Sequence, residues 1–300
     1  MRVLLAPAEV PSNHPKYWDK LQYPLLGSPK IDGIRGVTDD KHKMMSRSWK
    51  PIPSVQVQDE LTDLAWGDGE IAEGPVTDTG LFNRTQSFVM SEEKFTNRLT
   101  YNIFDYAEES WRSTEFWRRL EYAEQLVKAV NNPKILYVPH SAIENREELE
   151  AYEETQLALG YEGIMLRTVC GRYKENRATI NEGIIYKLKR FEDDEGVVVG
   201  FVERLTNNNS QERDERGFAK RSSHKAGKSG AGTLGKFLVE FQGKRINVAT
   251  GLFTHAELQY IWDNKEKYLG KLLKFRYFSH GVKDEPRHAR AIGWRSLIDL

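Results

Sequence analysis

Positions Lys30 to Arg35 compress a lysine, an aspartate, a glycine and an arginine into six residues, behind Pro29 and between two apolar runs. Few local structures absorb charge at that density, so this stretch restricts the chain more than any other. Tyr23, Leu25 and Leu26 lead in, and Ile31, Ile34 and Val37 then alternate with Lys30, Asp32 and Arg35 at the period of a strand, with Gly33 as a kink. The pattern predicts a half-buried strand that presents its charged side chains together on one face of a cleft. An amphipathic surface strand with a glycine turn would carry the same pattern, and only partners elsewhere in the chain separate the two.

Net charge does not find those partners. Lys plus Arg and Asp plus Glu are equal at 44 each in 300 residues, so a surface for a polyanion must come from local segregation of charge. A chain of that length suggests two domains with cores of their own. Its single cysteine, Cys170, excludes an intramolecular disulfide and a cysteine-rich zinc module, and fits a reducing compartment. No apolar run reaches about 18 residues, and Pro7 and Pro11 cut short the apolar start. Neither a membrane span nor a signal peptide is expected, and the expected location is cytoplasmic.

Candidate partners recur down the chain. Ser46-Arg47-Ser48-Trp49-Lys50 puts two cations and a tryptophan ahead of a proline-punctuated loop, where Arg47 and Lys50 suit phosphate. Between Trp66 and Ala72, Asp68 and Glu70 share a face if the segment is a strand, a costly arrangement unless cations or a metal neutralise it; a Gly-flanked acidic turn is the alternative. Leu99 to Tyr106 reads as a buried strand closing on an acid, with Phe104 beside Asp105. Trp111 to Val130 reads as a helix whose core face is Phe116, Leu120, Ala123, Val127 and Val130. Ile135 to Val138 is a further strand, and Asn145 with Glu148 caps a helix that Gly160 ends. Glu162 to Arg167 is an apolar strand bracketed by opposite charges. Gly183 to Arg190 places Lys187 and Lys189 on one face of another apolar strand, where they need carboxylates or a ligand's phosphates.

In order, Lys-x-Asp-Gly-x-Arg at 30–35, Ser-Arg at 46–47, Asp-Gly-Glu at 68–70, Phe-Asp at 104–105, Glu-Gly-x-x-x-Arg at 162–167 and Lys-x-Lys at 187–189 resemble the motif series of the covalent nucleotidyltransferases. Over nearly its whole length the chain is similar to ATP-dependent DNA ligases of the minimal kind found in phages and other viruses. That resemblance implies an α+β architecture: an adenylyltransferase domain of antiparallel sheets with flanking helices at residues 1–191, then a C-terminal OB-fold β-barrel at 192–300. It also implies a monomer that seals nicks in double-stranded DNA with ATP and Mg²⁺ or Mn²⁺. Lys30 would form a lysyl-AMP, its pKa lowered by Lys187, Lys189 and a bound metal, with Asp32 orienting it. Lys187 and Lys189 would stabilise the α-phosphate, and Glu162 the metal, with Glu70 on the ribose or a second metal. Arg35 and Arg177 would meet nucleotide or phosphate, Phe104 would stack on adenine, and Arg47 with Lys50 would meet the nick. An RNA ligase, an mRNA-capping guanylyltransferase or a non-catalytic nucleic-acid-binding relative would share the motif order. An intact Lys30 argues against the last, and the lack of an N-terminal helical module and a cysteine cluster argues by resemblance against the NAD-dependent type.

Beyond residue 191 short strands at 196–202, 236–241, 245–249 and 271–277, with one helix opening at Thr254, fit a five-stranded OB barrel. Residues 204–235, rich in Asn, Ser, Gly, Lys and Arg, read as a long loop whose basic half, Lys220, Arg221, Lys225 and Lys228, would order on duplex phosphates. A second basic stretch runs through Lys283, Arg287, Arg290 and Arg295. The family's terminal Arg-x-Asp-Lys motif lacks its lysine after Asp299, which leaves Arg290 or Arg295 to handle pyrophosphate.

Overall fold

The computed structural model describes residues 2–7, 18–213, 219–222, 224–278 and 286–295, and the chain divides into two compact units, Met1–Arg190 and Phe191–Leu300. The first unit opens with β1 (Leu4–Leu5), β2 (Leu25–Pro29), β3 (Ile34–Thr38), β4 (Met44–Ser46) and a short helix α1 (Val55–Glu60). Next come β5 (Gly67–Glu73), helix α2 (Leu81–Val89), β6 (Leu99–Tyr106), helix α3 (Phe116–Val130) and β7 (Ile135–Tyr137). It closes with β8 (Ser141–Ile143), helix α4 (Arg146–Ala158), β9 (Ile164–Thr168), β10 (Asn176–Arg177) and β11 (Ile185–Leu188).

These strands form two sheets. One has the order β4-β3-β5-β6-β7, antiparallel but for the β6–β7 pair; the other, β11-β9-β2-β8, is antiparallel throughout. Ile71, Tyr101 and Ile103 of the larger sheet pack against Phe88 of α2 and Ala123 of α3, while Leu25, Ile164 and Leu188 of the smaller one pack with Leu149 of α4. Asn145 caps α4 as expected, its side chain accepting from the Glu148 amide at 2.9 Å. Helix α3 starts at Phe116 and not Trp111, because Trp111 ends a separate short turn and stacks on Tyr122 with centroids 4.4 Å apart.

Lys30 is not in a strand. The chain leaves the smaller sheet at Pro29 and enters the larger one at Ile34, so Lys30 to Gly33 form the link between them. Hydrophobic alternation misleads here because Ile31 is buried in the crossing while Ile34 belongs to the next strand. Gly33 is required: a Cβ there would run into the carbonyl of Ile71. Near the end of β6 the ladder with β5 passes from Asp68–Asp105 to Gly69–Ile103, which leaves Phe104 as the extra residue of a bulge and turns its ring out of the ladder.

The second unit consists of β12 (Glu192–Asn207), β13 (Gln211–Arg213), β14 (Ala219–Arg221), β15 (Lys228–Phe241), β16 (Lys244–Ala249), helix α5 (His255–Asp263), β17 (Leu272–Phe278) and β18 (Arg287–Trp294). Strands β12-β15-β16-β18-β17 close into a barrel, the OB fold, filled by Val198, Phe237, Val239, Val248 and Phe275. Thr254 and Glu257 make a reciprocal capping box at the start of α5, which adds Leu258 and Ile261 to the core.

The described residues of 204–235 are largely paired in strands and are not the expected loop. β12 and β15 continue pairing past the barrel, through Leu205–Gly230 to Asn207–Lys228, and β13 pairs with β14 beyond them. The polar composition hid this ribbon because its ladder is held by backbone and asparagine hydrogen bonds. Asn209 Nδ2 donates to the carbonyls of Ser222 and His224, both at 3.0 Å, and the Asn208 amide donates to Gly227 at 2.8 Å. Lys283 of the second basic stretch and Ser296 to Asp299 of the terminal motif lie outside the described residues, as do the side chains of Lys220 and Arg287. Among the described residues no helix is long and apolar enough to cross a membrane.

Candidate active site

Three strand ends converge on one carboxylate. β9 pairs with β2 on one side and β11 on the other, so that Met165 lies between Ser28 and Lys187, and Ile164 between Pro29 and Leu188. Lys30 and Lys189, each just beyond its strand, flank Glu162, just before β9. The Lys30 amide donates to the carbonyl of Gly163 at 2.8 Å, which seats the lysine against its partner. Gly163 itself has φ +154° with the Leu188 carbonyl where a Cβ would sit, so only glycine allows Glu162 to approach β11. Lys30 Nζ lies 2.5 Å from Glu162 Oε2, and Lys189 Nζ pairs with the other oxygen.

These groups form one pole of a cavity of about 290 Å³ between the two sheets, lined also by Leu5, Ala6, Ser28, Arg35, Arg47, Glu70, Phe104, Val138, His140, Met165, Arg167, Arg177 and Lys187. Its size suits a nucleotide-sized ligand. Eight of the residues singled out from sequence line it: Lys30, Arg35, Arg47, Glu70, Phe104, Arg177, Lys187 and Lys189. Glu162 enters through its two lysines, and Asp32, buried, acts on Lys30 through space. Lys50 is exposed and off the lining, and Arg221, Lys225 and Lys228 belong to the ribbon of the second unit. His140 and Met165 line the cavity without having been predicted; neither carried a sequence signal that set it apart from ordinary packing.

Charge in the cavity is unevenly held. Burial lowers the Lys30 pKa, but Glu162 and then Glu70 outweigh it, so the ammonium is held above its ordinary range. Lys187 and Lys189 alone therefore do not depress it; the expectation counted a bound metal beside them. Lys187 behaves as that expectation required of Lys30: burial, reinforced by Lys189 and Arg177, brings it down to about 8. Lys189 is lowered by burial and Lys30 despite its pairing with Glu162. Burial raises Glu70 to about 7 against the pull of Lys30 and Arg35, while the Glu162 carboxyl, although buried, is held low by Lys30 and Lys189.

Arg35 reaches the cavity but is already committed. Its Nε and Nη2 donate to the two oxygens of buried Asp68 at 2.8 and 2.5 Å, and Nη1 donates to the Leu4 carbonyl at 2.6 Å. The Tyr173 hydroxyl completes the Asp68 carboxylate at 2.6 Å. Held there, the guanidinium lies 5.2 Å from the centroid of Phe104 and braces that ring at the cavity wall. Asp68 therefore neutralises Arg35, and only Glu70 of the acidic pair faces the cavity. Arg177 Nη1 donates to the Ala6 carbonyl at 2.7 Å. In the second unit Arg295 pairs with Glu195 at 2.9 Å, and Arg290 lies 5.8 Å over Phe191.

Similarity to known proteins follows the same lines. Residues 227–295 match the family model of the DNA ligase OB-like domain. A crystal structure of the Chlorella virus DNA ligase-adenylate is 31% identical, with a TM-score of 0.55 over 99% of this chain and 98% of that one. A structure of Lig E DNA ligases, described as binding DNA with a minimal scaffold, shares the fold at 22% identity, with a TM-score of 0.70 over 98% of this chain and 99% of that one. No curated protein sequence matches the chain. With a cation-lined cavity built on Lys30 and a relative of this identity matched over 98% of its chain, the chain belongs to the ATP-dependent DNA ligase family.

Proposed function

We propose that this ligase seals 5′-phosphate/3′-hydroxyl nicks in duplex DNA through an AMP carried on Lys30 and then on the DNA 5′-phosphate. The observation that carries the reading is the seat of Lys30, tied to Glu162 at the cationic pole of a nucleotide-sized cavity. The lysine first gives up a proton to solvent. Its nitrogen then attacks the α-phosphorus of ATP, the bond to the β-phosphate oxygen breaks, and pyrophosphate leaves with that electron pair. Lys187 and Lys189, which line the same cavity, would stabilise the charge that grows on the α-phosphate oxygens. The 5′-phosphate of the nick next displaces Lys30 from phosphorus, and the 3′-hydroxyl finally displaces AMP. It fits the reading that the Chlorella virus relative is a ligase-adenylate.

Divalent metal fits the residues present. Glu162 is close enough to Glu70 to raise its pKa, yet among the described residues no group of three His, Cys, Asp or Glu side chains could hold an ion. Two carboxylates supplemented by phosphate oxygens and water are what Mg²⁺ accepts. Bound by Glu162 and Glu70, it would neutralise charge on the phosphates.

The OB unit with its ribbon serves as the DNA-binding part in this reading, with Arg221, Lys225 and Lys228 on the duplex backbone and the enzyme acting as a monomer. Labelled ATP with Mg²⁺ should leave AMP on Lys30, and a nicked DNA duplex should then be sealed. No adduct, an adduct with GMP, or sealing confined to RNA would reject it. Replacing Arg221, Lys225 and Lys228 by alanine should weaken nicked-duplex binding and reduce the salt slope by about one for each phosphate no longer neutralised.

A further inference from the structure

His140 lines the cavity, and none of the steps above uses it. Its Nδ1 lies 2.9 Å from the Val138 carbonyl oxygen. A carbonyl only accepts, so Nδ1 carries the proton and Nε2 keeps a lone pair. Among the described residues Nε2 has no hydrogen-bond partner, and the ring lines the cavity. Burial, helped by the positive charge of Arg167, pushes the imidazole down to about 4, so it is a neutral acceptor at physiological pH.

The strand register places this acceptor relative to Lys30. β8 pairs with β2 through Leu26–Ala142 and Gly27–Ser141, so His140, the residue before β8, comes level with Ser28, two residues or about 7 Å at strand rise from Lys30. His140 is beside Arg167, both resting on the Phe116 ring with centroid separations of 5.5 and 4.5 Å respectively. Phe104 comes from one sheet and Met165 from the other, leaving an apolar slot for a flat base. With α-phosphorus at Lys30 and the base in that slot, one polar edge of the base comes to His140. Arg167 cannot serve as acceptor there, because a guanidinium only donates and this one pairs with Asp105 at 2.8 Å.

We propose that His140 Nε2 accepts a hydrogen bond from the exocyclic 6-amine of the bound purine and so selects adenine. This rests on the cavity being the ATP site. The test measures Lys30 adduct formation at subsaturating ATP and at subsaturating purine riboside 5′-triphosphate, which lacks only the amine. Wild-type enzyme should favour ATP by about tenfold in kcat/KM. His140→Phe keeps a ring of similar shape without the acceptor and should bring the ratio to about one, and His140→Gln, whose side-chain oxygen can accept, should restore part of the preference. If the Phe variant does not fold, the Gln variant must still fall between one and the wild-type ratio. A wild-type enzyme indifferent to the amine, or a Phe variant that loses both nucleotides equally and keeps the ratio, overturns the assignment. Absence of any adduct from saturating ATP in the wild type is a different result and rejects the ATP-site reading itself.

Discussion

One carboxylate held between two cations occurs twice around strand β9, and the two clusters are built for opposite ends. Glu162 holds Lys30 and Lys189; Asp105 holds Arg119 through Nε at 2.8 Å and Arg167 through Nη1 at 2.8 Å. In the first, Lys30 and Lys189 keep 22% and 17% of their side-chain surface open, whereas in the second Arg119 and Arg167 keep 0% and 5%. Arg119 also donates to the carbonyls of Thr114 and Gly171, which fixes its fork. The arginines never lose their charge and their planar geometry is spent on protein. Lysines carry a charge that can be removed and donors that can turn to a ligand. Similar charge counts thus build a permanent brace in one place and, on the function proposed above, a reactive site in the other.

The sharpest way to break this contrast is to remove one member from each cluster. Lys30→Ala should abolish the AMP adduct and depress nick sealing by about 10⁶-fold, the scale of losing a nucleophile, while the urea midpoint barely moves. Asp105→Asn should do the reverse, costing about 3–5 kcal/mol in unfolding free energy because two buried guanidinium groups lose their counter-charge. A folded, stable Asp105→Asn enzyme without adenylation activity would show that the brace is catalytic after all. Next in size, Lys189→Ala or Lys187→Ala should slow adduct formation by about 10²–10³-fold, the typical loss of one donor at a developing oxyanion. Single-turnover measurement with labelled ATP reads this directly.

Both clusters appear in the sequence, yet only one could be recognised there. Lys30, Glu162, Lys187 and Lys189 are spaced as motifs, and apolar runs around them announce strands, so the convergence on one site was legible. The placement of Lys30 was not: its flanking residues alternate like a strand, and only the contact of Gly33 with the Ile71 backbone shows that the chain is crossing between sheets. Asp68 looked like the twin of Glu70 because a strand puts both on one face. What separates them is long-range, a bidentate bond to Arg35 and a hydroxyl from Tyr173 across more than a hundred residues. Arg119 lies inside the predicted helix but is absent from its predicted core face, and it is wholly buried because its partner Asp105 is supplied by another element. The ribbon from 204 to 235 was illegible for the opposite reason. Its order comes from backbone pairing and asparagine amides, which leave no hydrophobic period.

The smallest effect tests the same contrast through pH. Lys187 has an ordinary value of 10.5, and burial with its cationic neighbours lowers it to about 8 in the folded chain. Below pH 8 it is charged and can bind phosphate; above that it becomes neutral, so ATP affinity should fall across pH 8 to 9.5 by about tenfold or less, the worth of one charge-assisted hydrogen bond. Linkage fixes two further signs. Between about pH 8 and 10.5 the unfolded chain binds a proton at this lysine that the folded chain does not, so this group's contribution to stability becomes more favourable as pH rises through that range. ATP, in turn, should take up a proton on binding near pH 8.5, because a phosphate beside Lys187 favours the ammonium. Calorimetric titration in buffers of different ionisation enthalpy counts that proton. Lys187→Arg, whose charge does not titrate in this range, should flatten the affinity profile and abolish the uptake. An arginine-like flat profile in the wild type would mean that Lys187 belongs with the permanent charges of the Asp105 cluster and not with the reactive pole.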